Sequence, residues 1–233
     1  MEQSQGTYEQ RHRELIDRLA RELKPVRPLW PVSARLALWL ALEALFVLLM
    51  IEVTKNDFML KLAHPVYLLE VTFFAAAGIV SAVLALRAAI PGRSVRKSEI
   101  AVATGLVGAG ILLLLTQPVQ TSLPLNEFIG AGVRCACNTG IFALVPWLAL
   151  WWAVRRGAPM NGAAEGALVG SGALLFTFAL MRIGCPIDDE LHLLTWHLGP
   201  ALLLIVLSTV AGAMWLRFRP RTPSTASVTS SGN

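Results

Sequence analysis

The chain has 233 residues, of which 55% are hydrophobic and only 15% charged, with a formal net charge of +5. Soluble domains carry about 25% charged residues, so the composition argues against a water-soluble globular protein and for a membrane protein. The basic balance needs no nucleic acid to explain it, because Lys and Arg collect at the cytoplasmic ends of membrane helices, and no direct nucleic-acid partner is expected.

In chain order, residues 1–33 form an arm that precedes any long apolar run and carries no small-residue cleavage site of a secretory signal. Leu15, Ile16, Leu19 and Leu23 recur at i, i+1, i+4 and i+8. They give a helix from Tyr8 to Leu23 one apolar stripe, with Arg13, Glu14, Asp17, Arg18, Arg21 and Glu22 around the rest. Pro25 ends it, and Pro28 and Pro31 stiffen the link that follows. A helix of about four turns is marginal alone in water, so the stripe needs a surface. The lipid interface is one such surface and the groove of a cytoplasmic protein another. The five acids of the arm, Glu2, Glu9, Glu14, Asp17 and Glu22, favour the protein.

Six apolar runs follow: Ala34 to Val53, Pro65 to Leu86, Ile100 to Leu115, Cys137 to Val154, Gly162 to Met181 and Trp196 to Leu216. Each approaches the ~20 residues with which an α-helix crosses a hydrocarbon core. The predicted fold class is therefore all-α: a polytopic membrane protein with six transmembrane helices over residues 34–217, preceded by the short amphipathic helix. Residues 218–233, uncharged apart from two arginines and rich in Ser and Thr, read as a disordered tail. With the N-terminus inside, sixteen Lys and Arg lie on the cytoplasmic side and four, Lys55, Lys61, Arg134 and Arg182, on the other. Both termini are accordingly expected in the cytoplasm.

Glu43 and Glu70 fall within the first two runs, where a carboxylate must be paired or turned to the bundle interior. A proton-coupled transporter would use such residues, yet the runs show no matching Lys or Arg. Gly162, Gly166 and Gly170, spaced four apart in the fifth run, and Gly105 and Gly108 in the third, permit close helix approach. Pro146 and Pro200 are expected to kink their helices.

The topology gathers the soft ligands on the outer face: Cys135 and Cys137 on the fourth helix, Cys185 after the fifth, His64 before the second, and His192 and His197 on the sixth. Pro186 followed by Asp188, Asp189 and Glu190 reads as a helix start, with Cys185 as its cap. On such a helix Cys185, Asp188 or Asp189, His192 and Trp196 share one face. His197, five residues from His192, points elsewhere and lacks the i, i+4 spacing of paired helical ligands. Cys185 and His192, with a cysteine of the fourth helix, are candidate metal ligands, although no zinc motif is written in the sequence. Three cysteines allow one disulfide and one leftover thiol, and either Cys135 or Cys137 can meet Cys185. A structural disulfide and a redox or heavy-metal sensor are both consistent with this pattern. A membrane thiol oxidoreductase would lack the usual Cys-x-x-Cys. No nucleophile–base pair, phosphate loop or nucleotide fingerprint supports an enzyme, and no cofactor is expected.

The arm Leu15-Ile16-Asp17-Arg18-Leu19-Ala20-Arg21-Glu22-Leu23-Lys24-Pro25, the Pro91-Gly92-Arg93 turn and the stretch Cys185-Pro186-x-Asp188-Asp189-x-x-His192-x-x-x-Trp196-His197 resemble the NrsF-type anti-sigma factors. These are six-helix inner-membrane proteins of Gram-negative bacteria, and the resemblance spans nearly the whole chain. It implies a negative regulator whose cytoplasmic arm holds an extracytoplasmic-function sigma factor at the membrane, away from RNA polymerase. It further implies stress sensing by two periplasmic-side cysteines, one of them Cys185 and the other Cys135 or Cys137. Asp188, Asp189, His192 and His197 belong to the same motif, and Leu15, Ile16, Arg18, Leu19 and Leu23 to the partner-binding arm.

Overall fold

A computed structural model describes residues 2–22, 28–54 and 61–216, and among these the chain is helical with no strand. The chain divides into two compact units, Met1–Trp30 and Pro31–Asn233. The first holds α1 (Glu2–Glu22), which begins before the expected Tyr8. On it Leu15, Ile16 and Leu19 keep 52%, 57% and 55% of their surface exposed, so the apolar stripe is not consumed by the helix itself. Leu23, and residues 218–233 of the expected tail, lie outside the described residues.

The second unit contains six helices long and apolar enough to cross a membrane: α2 (Val32–Thr54), α3 (Pro65–Ala88), α4 (Lys97–Leu115), α5 (Leu125–Arg155), α6 (Gly162–Gly184) and α7 (Glu190–Trp215). α7 is a composite, with an α-turn at Glu190–Leu193, a π-turn at Leu194–Leu198 and an α-helix over Gly199–Trp215. The largest departure from the sequence reading is α5, which starts at Leu125 and not at Cys137. Its first turns carry Asn126, Glu127, Arg134 and two glycines, Gly130 and Gly132, which dilute the apolar run.

α6 is the axis of the bundle. Of its residues 72% are buried, against 17% in the window of α2 and 11% in that of α4. It packs chiefly on α3 and α7 and also on α5, while α4 leans on α3. Lipid gives helices no hydrophobic reason to associate, so close contact depends on small residues and a few polar links. A Cβ added to Gly166 would lie 2.9 Å from Gly212 Cα, and one added to Gly212 would lie 2.6 Å from Gly166 Cα. The α6 and α7 backbones therefore touch. Ser208 Oγ locks the crossing by donating to Gly166 O at 2.7 Å, and it accepts from Trp147 Nε1 of α5 at 2.9 Å. On the opposite side Gly78 of α3 meets Phe176 N and Gly172 O, at 2.8 and 2.9 Å from a built Cβ.

One end of the bundle is fixed by charge. Arg35 of α2 donates to Leu86 O at 3.1 Å and to Ala153 O at 3.3 Å, near the C-termini of α3 and α5, where the helix dipole favours a cation. The turn from α3 to α4 passes through Gly92 at φ 80°, which suits a residue without a side chain. Beyond it Glu99 accepts from Arg96 N at 2.9 Å and from Arg87 Nη1 at 2.5 Å.

These contacts predict contrasting effects of bulk. Gly166→Leu is expected to destabilise the detergent-solubilised protein by about 1–3 kcal/mol through overpacking. Gly105→Ala, with nothing within 4 Å of the new Cβ among the described residues, should leave it unchanged. Unfolding midpoints of the two variants check this.

Candidate functional site

Because α5 begins early, it carries Phe128, Gly132, Cys135 and Thr139 at i, i+4, i+7 and i+11, which share a face on an α-helix. That face meets α7. The Phe128 ring lies 6.2 Å from His192 and 5.9 Å from Trp196 between centroids, both edge-on. Gly132 leaves room for the Trp196 indole, which a Cβ there would overlap. Thr139 Oγ1 is 3.3 Å from His197 Nδ1. Cys137, two residues past Cys135 and about 200° round the helix, is exposed and lies away from this face.

The chain between α6 and α7 supplies the other sulfur. Cys185 ends α6, its N–H donating to Met181 O at 2.8 Å. The expected helix start at Pro186 does not form; the N-cap of α7 is Asp189 and its first residue is Glu190. Both acids have tertiary partners that compete with a helical turn. Asp188 pairs with Arg182 Nη1 and lies 2.9 Å from Lys61 Nζ. Asp189 accepts from Thr121 Oγ1 at 2.7 Å and from Ser122 N at 3.1 Å.

His197 departs from the sequence reading for a different reason. Five residues on an α-helix turn by about 140° relative to the starting face, which would separate it from His192. The π-turn, in which Gly199 N–H bonds back to Leu194 O, takes up one extra residue. Five residues then do the work of four, and the His192 and His197 rings lie 5.3 Å apart.

Cys135, Cys185, His192 and His197 thus converge, with one ligand atom from each lying within 4.8 Å of those of the others. The two sulfurs are 3.8 Å apart, and Cys185 Sγ is 3.8 Å from His192 Nε2. Both imidazoles and Cys185 are buried. His192 Nδ1, His197 Nε2 and Trp196 Nε1 are buried without hydrogen-bond partners among the described residues.

Beside the cluster stands an ion network that the sequence reading missed, having assigned Arg182 to an outer loop. Arg182 lies in the last turn of α6, buried, with Nε 3.1 Å from Glu70 Oε2 of α3. Its guanidinium stacks 4.5 Å over the Tyr67 ring, and Tyr67 Oη donates to Arg182 O at 2.6 Å. Lys61 Nζ also donates to Cys185 O at 2.9 Å. Glu70 therefore has an intramembrane partner after all. Glu43 is buried with neither carboxylate oxygen hydrogen-bonded among the described residues.

Comparison with protein families matches residues 19–218 to the family described as NrsF, negative regulator of sigma F. The chain belongs to the NrsF family. Membership makes it a negative regulator of a sigma factor, and the six long apolar helices make it a membrane protein. The NrsF match takes in all six spans, the four-residue cluster and Leu19 and Leu23 of the arm, while Leu15, Ile16 and Arg18 precede it. No curated protein and no solved structure matches the chain.

Two outcomes are expected of this NrsF protein. Under a mild two-electron oxidant a Cys135–Cys185 disulfide forms in the wild type and in Cys137→Ser but not in Cys135→Ser, as peptide mapping without reductant will read. It forms much more slowly in Gly132→Val. Arg182→Ala should cost about 3–5 kcal/mol, the usual result of leaving a buried carboxylate without its cation, and Glu70→Gln in the same chain should restore part of that loss in a denaturant titration.

Proposed function

We propose that the chain is an anti-sigma factor that holds an extracytoplasmic-function sigma factor at the bacterial inner membrane through its N-terminal arm. It releases that factor when a redox or heavy-metal stress acts on the Cys135–Cys185 pair. The observation that carries this reading is the exposed stripe of Leu15, Ile16 and Leu19 on α1, in a chain whose family regulates a sigma factor. A helix with a solvated apolar stripe fits a groove in a protein partner. Arg18 lies beside the stripe in the sequence, and Leu23 follows Leu19 at the same i+4 spacing. The excess of basic residues that flank the spans on the arm's side supports a topology with both termini in the cytoplasm and the cysteines on the periplasmic side.

The sensing step is a change in helix packing. Oxidation by a two-electron oxidant would remove two protons and two electrons from the thiols and draw the sulfurs from 3.8 Å to a bond of about 2 Å. Cys135 belongs to α5 and Cys185 caps α6, so the new bond ties α5 to the end of α6 and alters the packing between them. A coupling of about 1–3 kcal/mol between the cysteines and the arm would alter sigma occupancy several-fold to about a hundredfold. Asp188 and Asp189 hold the segment that carries Cys185, and they act as positioning groups. A transporter reading loses force because Glu70 has a structural partner in Arg182.

The binding half of the proposal is tested by co-purifying the full-length protein with the sigma factors of the same cell. One of them should be retained by the wild type and lost with Leu19→Asp. Retention of none, or equal retention by the variant, contradicts it.

A further inference from the structure

We propose that Cys135, Cys185, His192 and His197 form one four-ligand site for a soft divalent metal ion of the zinc and cadmium class. The inference deepens the sensory reading above, from which it takes the cysteine pair, and adds the two histidines as ligands.

Two of the six ligand distances lie close to the edges of a tetrahedron, and the rest are within reach of them. Zinc bonds of about 2.3 Å to sulfur and about 2.0–2.1 Å to nitrogen imply edges of about 3.8 Å between two sulfurs and about 3.5 Å between sulfur and nitrogen. Here the sulfurs stand 3.8 Å apart and Cys185 Sγ stands 3.8 Å from His192 Nε2, and all four ligand atoms lie within 4.8 Å of one another. Small side-chain adjustments suffice to close the set on an ion.

Hydrogen bonding fixes the tautomer of His197. Thr139 Oγ1 donates its proton to Cys135 O at 2.9 Å. In its contact with His197 Nδ1 it must therefore accept, so Nδ1 carries the proton. Nε2 is left with a lone pair, buried and without a hydrogen-bond partner among the described residues. An N–H held by an outer oxygen while the other nitrogen faces inward is the usual support of a metal-binding histidine.

Charge agrees. An ion of charge two bound by two thiolates and two neutral imidazoles is a neutral unit, which an apolar bundle tolerates where separate charges are costly. Binding displaces the two thiol protons to solvent. A disulfide between the same cysteines would give neither imidazole a role. It would also leave the π-turn, whose consequence is to bring His197 to His192, without a purpose, although such turns concentrate at functional sites.

The test uses the full-length, reduced, metal-free protein in detergent micelles, titrated with Co²⁺ and then with Cd²⁺. One Co²⁺ per chain is expected, with thiolate charge-transfer absorption and the intense visible bands of tetrahedral cobalt, bleached when Cd²⁺ displaces it. Cys137→Ser should bind as the wild type does. His192→Gln and His197→Gln should each weaken binding roughly a hundredfold or more, since even outer partners of a metal ligand are worth 10–100-fold, and His197→Cys should recover it. Absence of the bands from the wild type overturns the site, as does unchanged binding in both histidine variants. A second reading needs no variant: Cd²⁺ should protect Cys135 and Cys185, but not Cys137, from alkylation, and equal labelling with and without Cd²⁺ also overturns it. Sigma retention measured on the same preparations separates the two proposals. Metal binding with no sigma factor retained supports the site and contradicts the binding arm, whereas oxidant-driven sigma release with no metal bound contradicts the site alone.

Discussion

A guanidinium inside a bundle of apolar helices must be neutralised where it stands, and Arg182 meets that demand in a way that organises its surroundings. It pairs with Glu70 on α3, stacks on Tyr67 one turn away, and reaches forward to Asp188 in the segment after α6. Lys61 closes the same network by holding Asp188 and the carbonyl of Cys185. Buried ion pairs are poor sources of net stability, yet breaking one is costly, so the network acts mainly as a constraint on geometry. It fixes α3 to the end of α6 and with it the position at which Cys185 is presented. The sulfur of Cys185, His192 on α7 and Cys135 on α5 then meet because α6 and α7 are already locked through Gly166, Ser208 and Gly212.

Two irregularities complete the cluster. α7 does not start at Pro186, as local helix-start preferences favour, because Asp188 and Asp189 are engaged by Arg182, Lys61, Thr121 and Ser122. α7 also loses its α-helical register for one turn at Leu194–Leu198. In both places local preference yields to tertiary contact, and both flank the same four side chains. Such conflicts between local and global preference are expected at functional sites.

The six spans were legible because twenty consecutive apolar residues report their own environment, with no need of a partner. Cys185 and His192 do meet, but not on the face of one helix begun at Pro186: Cys185 caps α6 and His192 lies on α7. What escaped the sequence depended on pairs remote in the chain. Arg182 looked like a loop residue after an apolar run, since its partner Glu70 lies on another helix. The early turns of α5 are rich in glycine and polar residues, so their apolar face, Phe128, Gly132 and Cys135, emerges only when α7 is set against it. The choice of Cys135 over Cys137 follows from that register. The π-turn has no local sequence mark, and with it His197 passed from a residue pointing away to a member of the cluster. For α1 the helix and its stripe were readable, although its beginning at Glu2 was not.

The family assigns negative control of a sigma factor to this chain, and the fold supplies a compact cluster of reactive groups in one unit and an exposed amphipathic helix in the other. In the proposed mechanism the chemical state of the first sets the affinity of the second. The most direct measurement is the dissociation constant of the sigma factor for the full-length protein in lipid nanodiscs, with the cluster reduced and metal-free and again after oxidation or Cd²⁺ loading. The account predicts a weakening of several-fold to about a hundredfold that disappears in Cys185→Ser. An affinity that is the same in all states of the wild-type protein would contradict it.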